Sequence, residues 1–226
     1  MIAVYTATRN YYRFLRTAIF SFRRFHPDAK LYVLAEDDRL PFEEDATVVN
    51  VSGMKPQGPN AGTPYSYMSL LRPSLARIIP ERKVLYLDVD TVVCDDLSRL
   101  YDIDMTGKWW AAVPEVQTWY HPFGPEYYNN GVSVYNLEQM RADGIVEILE
   151  HELATVYHRF PDQDVMNKYA VPEMVIPLPN RFNSCGCCGH SSRPAIVHFA
   201  GIPNWYGNPY LPGHEYLDEV IRQCEG

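Results

Sequence analysis

Lys83-Val84-Leu85-Tyr86-Leu87-Asp88-Val89-Asp90 sets four consecutive apolar residues directly before two carboxylates. An apolar run without polar alternation is the pattern of a strand covered on both faces, which predicts a central strand of an α/β sheet over 83–87. Two residues apart in extended chain, Asp88 and Asp90 share one face. Ligands of open α/β sheets bind outside the carboxyl ends of the strands, so the pair falls at the mouth of a crevice. Neighbouring carboxylates repel unless a positive charge lies between them, and a hard divalent cation suits oxygen ligands. Asp is also common in turns at strand ends, so the pair alone leaves both readings open.

Outward from this strand, the chain alternates strand and helix signals. Residues 2–6 and 30–35 read as strands. Between them Leu15, Ala18, Ile19, Phe22 and Phe25 fall at helical spacing, with Asn10 at an N-cap position and His26-Pro27-Asp28 as a stop. Residues 47–51 read as a strand, 52–64 as a Gly/Pro loop, and 65–79 as helix interrupted by Pro73. Strands follow at 109–113, 131–135 and 196–199, and helices at 137–157, 162–170 and 214–225. Such alternation predicts a doubly wound, mostly parallel sheet with helices on both faces, built as one domain over 1–226.

Hydrophobic residues make up 46% of the chain, enough for a sizeable core. The net charge of −8 and the absence of a Lys/Arg run argue against a nucleic-acid surface. No stretch reaches the ~20 apolar residues of a membrane helix, and the start of the chain lacks the basic flank and long apolar core of a signal peptide. A cytoplasmic protein is expected. Cys185, Cys187, Cys188 and His190 crowd one loop, but adjacent Cys187 and Cys188 do not readily share a zinc ion, so reduced thiols on a flexible loop are expected there.

Three further features carry chemistry. His198 ends the apolar run Ala195-Ile196-Val197 and precedes Phe199-Ala200-Gly201, where an imidazole is accessible. With Asp88 and Asp90 it makes a donor set better suited to Mn²⁺ than to Mg²⁺, since imidazole is softer than oxygen. Asp162-Gln163-Asp164 opens a helix after Pro161, which acidic first-turn preference alone would also explain. Tyr128-Asn129-Asn130-Gly131 is a polar turn feeding a strand.

Taken in order, these segments resemble the retaining glycosyltransferases of family 8, related to glycogenin and the bacterial lipopolysaccharide galactosyltransferases. Thr6-Ala7-Thr8-Arg9-Asn10-Tyr11 looks like that family's opening strand and base loop, and Val84 to Val93 is close to its metal signature. Tyr128-Asn129-Asn130-Gly131-Val132, Asp162-Gln163-Asp164-Val165-Met166-Asn167, Leu178 to Asn183 and Val197-His198-Phe199-Ala200-Gly201 are similar to its remaining motifs. The resemblance implies a GT-A fold, a UDP-sugar donor, Mn²⁺ (or Mg²⁺), and transfer with retention to a carbohydrate, protein or small-molecule acceptor. It implies metal ligation by Asp88, Asp90 and His198. Donor binding falls to Thr6, Thr8, Asn10, Tyr11, Arg72, Asp88 and Gly201, and catalysis to Asn129, Asp162, Gln163 and Asp164. The chain departs from the pattern after Gly201, where Ile202-Pro203-Asn204-Trp205 replaces Lys-Pro-Trp, and at Arg9, where an acidic residue is usual. A sugar-nucleotide-binding protein without turnover and a haloacid-dehalogenase-type phosphohydrolase stand as alternatives.

Overall fold

The computed structural model describes residues 1–225 apart from 56, 64, 65, 117–119 and 121, so the first residue of the helix expected over 65–79 and the last of the preceding loop lie outside the described residues. Within 83–87 the side chains divide between two cores. Leu85 and Leu87 pack with Tyr5, Leu15, Ile19 and Phe22 on one face, and Val84 and Tyr86 with Leu75, Leu137 and Leu149 on the other. Both faces are therefore covered, which is why the strand reads as an unbroken apolar run.

In chain order, β1 (Ile2–Ala7) leads through a 3-10 turn (Arg9–Tyr11) into α1 (Tyr12–Arg23), followed by β2 (Lys30–Ala35) and β3 (Thr47–Asn50). A 3-10 segment (Ser69–Ser74) and α2 (Leu75–Ile78) precede β4 (Lys83–Leu87), β5 (Thr91–Val93), α3 (Ser98–Tyr101), β6 (Trp110–Pro114) and β7 (Tyr128–Asn136). Then come α4 (Leu137–Ala142), α5 (Ile145–Thr155), α6 (Pro161–Lys168), β8 (Val175–Pro177), β9 (Ile196–His198) and α7 (His214–Glu225). The main sheet has the order β3-β2-β1-β4-β7-β6-β8, with β4 in the middle. It is mostly parallel, as expected: β1 pairs in parallel with β2 and β4, β2 with β3, and β6 with β8. β7 alone runs against its neighbours β4 and β6.

Several boundaries differ from the sequence reading, each for a local reason. Asn10 is inside the 3-10 turn and α1 starts at Tyr12, so Asn10 is not its N-cap. The region up to Ile79 holds short elements, because Pro73 removes a backbone donor and an α-helix forms only after it. The helix expected over 137–157 breaks at Gly144, whose φ of +67° is left-handed. β9 does not join the main sheet: it pairs antiparallel with β5 and sets His198 opposite Thr91. A third apolar cluster, with Val92, Val197, Phe199, Trp205, Leu217 and Val220, anchors that small sheet under α7.

Candidate active site

Where β4 ends, the Asp88 amide donates to the Gly131 carbonyl of β7 at 2.8 Å, and the Phe199 amide donates to the Asp90 carbonyl at 2.9 Å. The two sheets thus meet at the Asp-x-Asp turn. His198 Nε2 lies 3.3 Å from Asp90 Oδ1 and 4.0 Å from Asp88 Oδ2. One donor atom from each of Asp88, Asp90 and His198 lies within 4.8 Å of the others. His198 Nδ1 meets the Asn183 amide oxygen at 2.8 Å, and Asn183 Nδ2 donates to Asn129 Oδ1 at 2.8 Å. A ligating histidine is usually oriented in this way through its second nitrogen. Gly131 lets the Asp88 and His198 side chains pack directly against its backbone. A Cβ built there would lie 2.7 Å from Asp88 Oδ2 and 2.9 Å from His198 Nε2, and closer still to His198 Cε1. Two carboxylates and an imidazole that converge against a position only glycine can occupy are a donor set fitting Mn²⁺ or Mg²⁺.

The electrostatics are those of a tightly paired acidic site. Burial pushes the Asp88 carboxyl up, against the pull of the Arg72 guanidinium. Burial acts on Asp90 in the same sense, but the His198 charge and hydrogen bond outweigh it and hold Asp90 below the usual carboxylate value. His198, although desolvated, is driven well above 6.5 by Asp90. Arg72 is buried and spans two of the sequence motifs: one guanidinium nitrogen donates to Asp88 Oδ1 at 2.8 Å and another pairs with Asp162. Tyr86, 4.6 Å beneath the guanidinium, donates its hydroxyl to Asp88 Oδ1 at 2.8 Å.

Asn129 and Gln163 are brought together by Glu115, which the sequence reading passed over. Glu115 Oε1 accepts from Asn129 Nδ2 at 3.2 Å and from Gln163 Nε2 at 3.1 Å. Glu115 sits just past β6, beyond the register shift at Ala112/Val113 that brings Val113 opposite Asn129. No local pattern announces that pairing. Asp164 is fully buried, and its carboxylate accepts from Tyr120, Tyr127 and the Phe160 amide, so its capacity is spent inside the fold. Thr6, Thr8, Tyr11, Met68, Asp88 and Asp90 line a cleft of about 160 Å³, while Asn10 and Gly201 are exposed outside that lining. A larger groove of about 550 Å³ runs along Asp38 to Val48, but it holds no metal-suited donor cluster. Arg9 is held in a bidentate pair with Asp37. Trp205, in the departing segment after Gly201, stacks on Phe199 at 5.0 Å and is buried.

A mostly parallel sheet whose central strand ends in Asp-x-Asp, with a histidine carried to it by an accessory two-stranded sheet, is the GT-A-like architecture of a glycosyltransferase. The chain belongs to glycosyl transferase family 8, whose model matches residues 3–204. That membership sets aside the phosphohydrolase alternative. General stress protein A of Bacillus subtilis (strain 168) is 26% identical over 192 residues, covering 71% of this chain and 64% of its own. A probable glycosyl transferase Gly of Streptococcus gordonii is 28% identical over 138 residues, 60% of this chain but 20% of that protein. The match thus spans between a fifth and just under two thirds of these curated relatives. Galactosyltransferase LgtC, solved with donor and acceptor sugar analogs, superposes with a TM-score of 0.78 at 23% identity, covering 99% of this chain and 96% of LgtC. At that identity the likeness shows the shared fold.

Proposed function

We propose that the chain, acting as one domain over 1–226, transfers a sugar from UDP to an acceptor hydroxyl with retention at the anomeric carbon and with Mn²⁺. The observation that carries the reading is the convergence of Asp88, Asp90 and His198 at the mouth of the Thr6–Thr8–Tyr11 cleft, with Asp88 and His198 packed against Gly131. Asp88, Asp90 and His198 would hold the ion, which when bound offsets the charge of the departing nucleotide diphosphate. The half-exposed Tyr11 ring offers a face for the uracil, and Thr8 offers a hydroxyl for base or ribose, while the buried Thr6 hydroxyl meets that of Tyr86 at 2.9 Å. Arg72 holds Asp88 and Asp162 in fixed relation, so it acts as a positioning residue with its charge already committed to two carboxylates.

Asn129 and Gln163, oriented by Glu115, lie near the face where the donor sugar would rest. Gln163 presents an amide, a poor nucleophile, and Asp164 is consumed by internal hydrogen bonds. Together these favour attack by the acceptor on the face the nucleotide leaves over a covalent glycosyl intermediate. Cys94, Cys185, Cys187 and Cys188 form no disulfide, which supports a reducing, cytoplasmic setting, and among the described residues no helix is long and apolar enough to cross a membrane. Thermal stabilisation tests donor choice: with Mn²⁺, UDP should raise the melting temperature more than GDP or CDP, and equal shifts from all three would count against UDP. NMR assignment of the product anomer tests retention, with an inverted product as the contrary result.

A further inference from the structure

The thiol loop after Asn183 is not the loose segment its composition suggests. Ser184 bridges to Val197 of β9, and Cys185 bridges back to Gly189, closing a tight hairpin around Cys185-Gly186-Cys187-Cys188. Gly189 takes a φ of +81°, the left-handed conformation that turns the chain back. The Cys188 amide donates to Cys185 Sγ at 3.4 Å, and the Val116 amide ties the Cys187 carbonyl to the segment after β6 at 2.8 Å. Cys185 and Cys188 are 1% exposed and Cys187 is half-buried. The three sulfurs lie within 4.8 Å of one another, with Cys185 and Cys187 Sγ 3.0 Å apart. The objection from sequence, that adjacent Cys187 and Cys188 diverge, fails because the hairpin turns both thiols toward Cys185.

We propose that Cys185, Cys187 and Cys188 form a second metal site, a thiolate site for a soft divalent cation, with zinc as its ion in the cell. Thiolates select zinc-like ions, whereas the carboxylate-rich Asp88/Asp90/His198 set selects harder ones, so the two clusters would load different metals. On binding, the three thiols give up their protons to solvent as the sulfur–metal bonds form, and the half-buried side at Cys187 leaves a fourth position to water. Asn129 Nδ2 lies 3.5 Å from Cys187 Sγ, and Asn129 in turn meets Asn183, the partner of His198. An ion there would pin the hairpin against the Asn129–Asn183 pair.

The test is a titration of reduced, chelator-treated protein with Cd²⁺ and Co²⁺, read by sulfur-to-metal charge-transfer absorption. The band should saturate at about one ion per chain and be displaced by zinc. Cys187→Ser, at the half-buried position, and Cys188→Ser should each weaken binding on the order of 10²-fold or more. Asp90→Asn should leave the band intact, which separates this site from the one proposed for the donor. Absence of the band in wild-type protein whose thiols all react with a thiol reagent would overturn the proposal. So would a band unchanged in both cysteine variants. Should a variant fail to fold, the wild-type titration decides alone.

Discussion

Gly131 shows how much of the site depends on an absent side chain. It lies on β7 with His198 and Asp88 packed where a Cβ would go. Gly131→Ala must displace one of them, at a cost of about 1–3 kcal/mol for overpacking a rigid strand. More tellingly, the variant should lose the extra thermal stability that Mn²⁺ and UDP give the wild type. A full metal response in Gly131→Ala would mean that the ion sits elsewhere. His198 supplies a second expectation. Its folded value is raised above 6.5, so the imidazolium–Asp90 pair stabilises metal-free protein below pH 6.5, and that contribution is lost as pH rises through the folded value. An ion needs the neutral imidazole. Mn²⁺ affinity should therefore climb with pH over that interval, with protons released on binding. Calorimetry in buffers of differing ionisation enthalpy measures this, and a flat profile with no proton release would contradict it.

At the scale of elements, the broken segment from Ser69 to Ile78 does what a continuous helix would not. Pro73 interrupts it, and the 3-10 turns before it carry Arg72 under the end of β4. The guanidinium reaches Asp88 on one side and Asp162 at the start of α6 on the other. Asp162 is buried, and desolvation already pushes its carboxyl up. Arg72→Ala would leave buried carboxylate without its partner and should cost about 3–5 kcal/mol in urea unfolding. Arg72→Lys keeps the charge but loses the fork that serves two carboxylates at once, so it should fall between. An Arg72→Ala variant as stable as the wild type would show that this bridge contributes little. The accessory sheet is the other element with a consequence. Three-residue β5 and β9 have little pairing of their own and rest on Leu217 and Val220 of α7, so truncating α7 should weaken the metal response along with stability.

Across the whole molecule, what was legible in the sequence was what is encoded locally. The unbroken apolar run Val84-Leu85-Tyr86-Leu87 marked the central strand, because burial on both faces leaves no room for alternation. The Asp88/Asp90 spacing and the strand-end His198 were readable for the same reason. The reversal of β7 was not, since an apolar run carries no direction. The three-residue strands β5 and β8 were missed because β5 follows directly on the Asp-x-Asp turn and β8 runs into Pro177, whereas the equally short β9 showed as the apolar run Ala195-Ile196-Val197. Glu115 was missed because its meeting with Asn129 and Gln163 depends on strand register. The converging thiols were missed because a hairpin, rather than spacing, aims them. Asp88, Asp90 and His198 meet at the end of β4, and the account stands or falls on whether an ion binds there. The most direct measurement is a Mn²⁺ titration of UDP-sugar hydrolysis in wild type, Asp90→Asn and His198→Ala. Both variants should show weakened Mn²⁺ affinity and turnover reduced on the order of 10²-fold or more in Asp90→Asn, while far-ultraviolet circular dichroism stays native. Wild-type Mn²⁺ affinity and turnover in both variants would contradict the metal site and, with it, the proposed reaction.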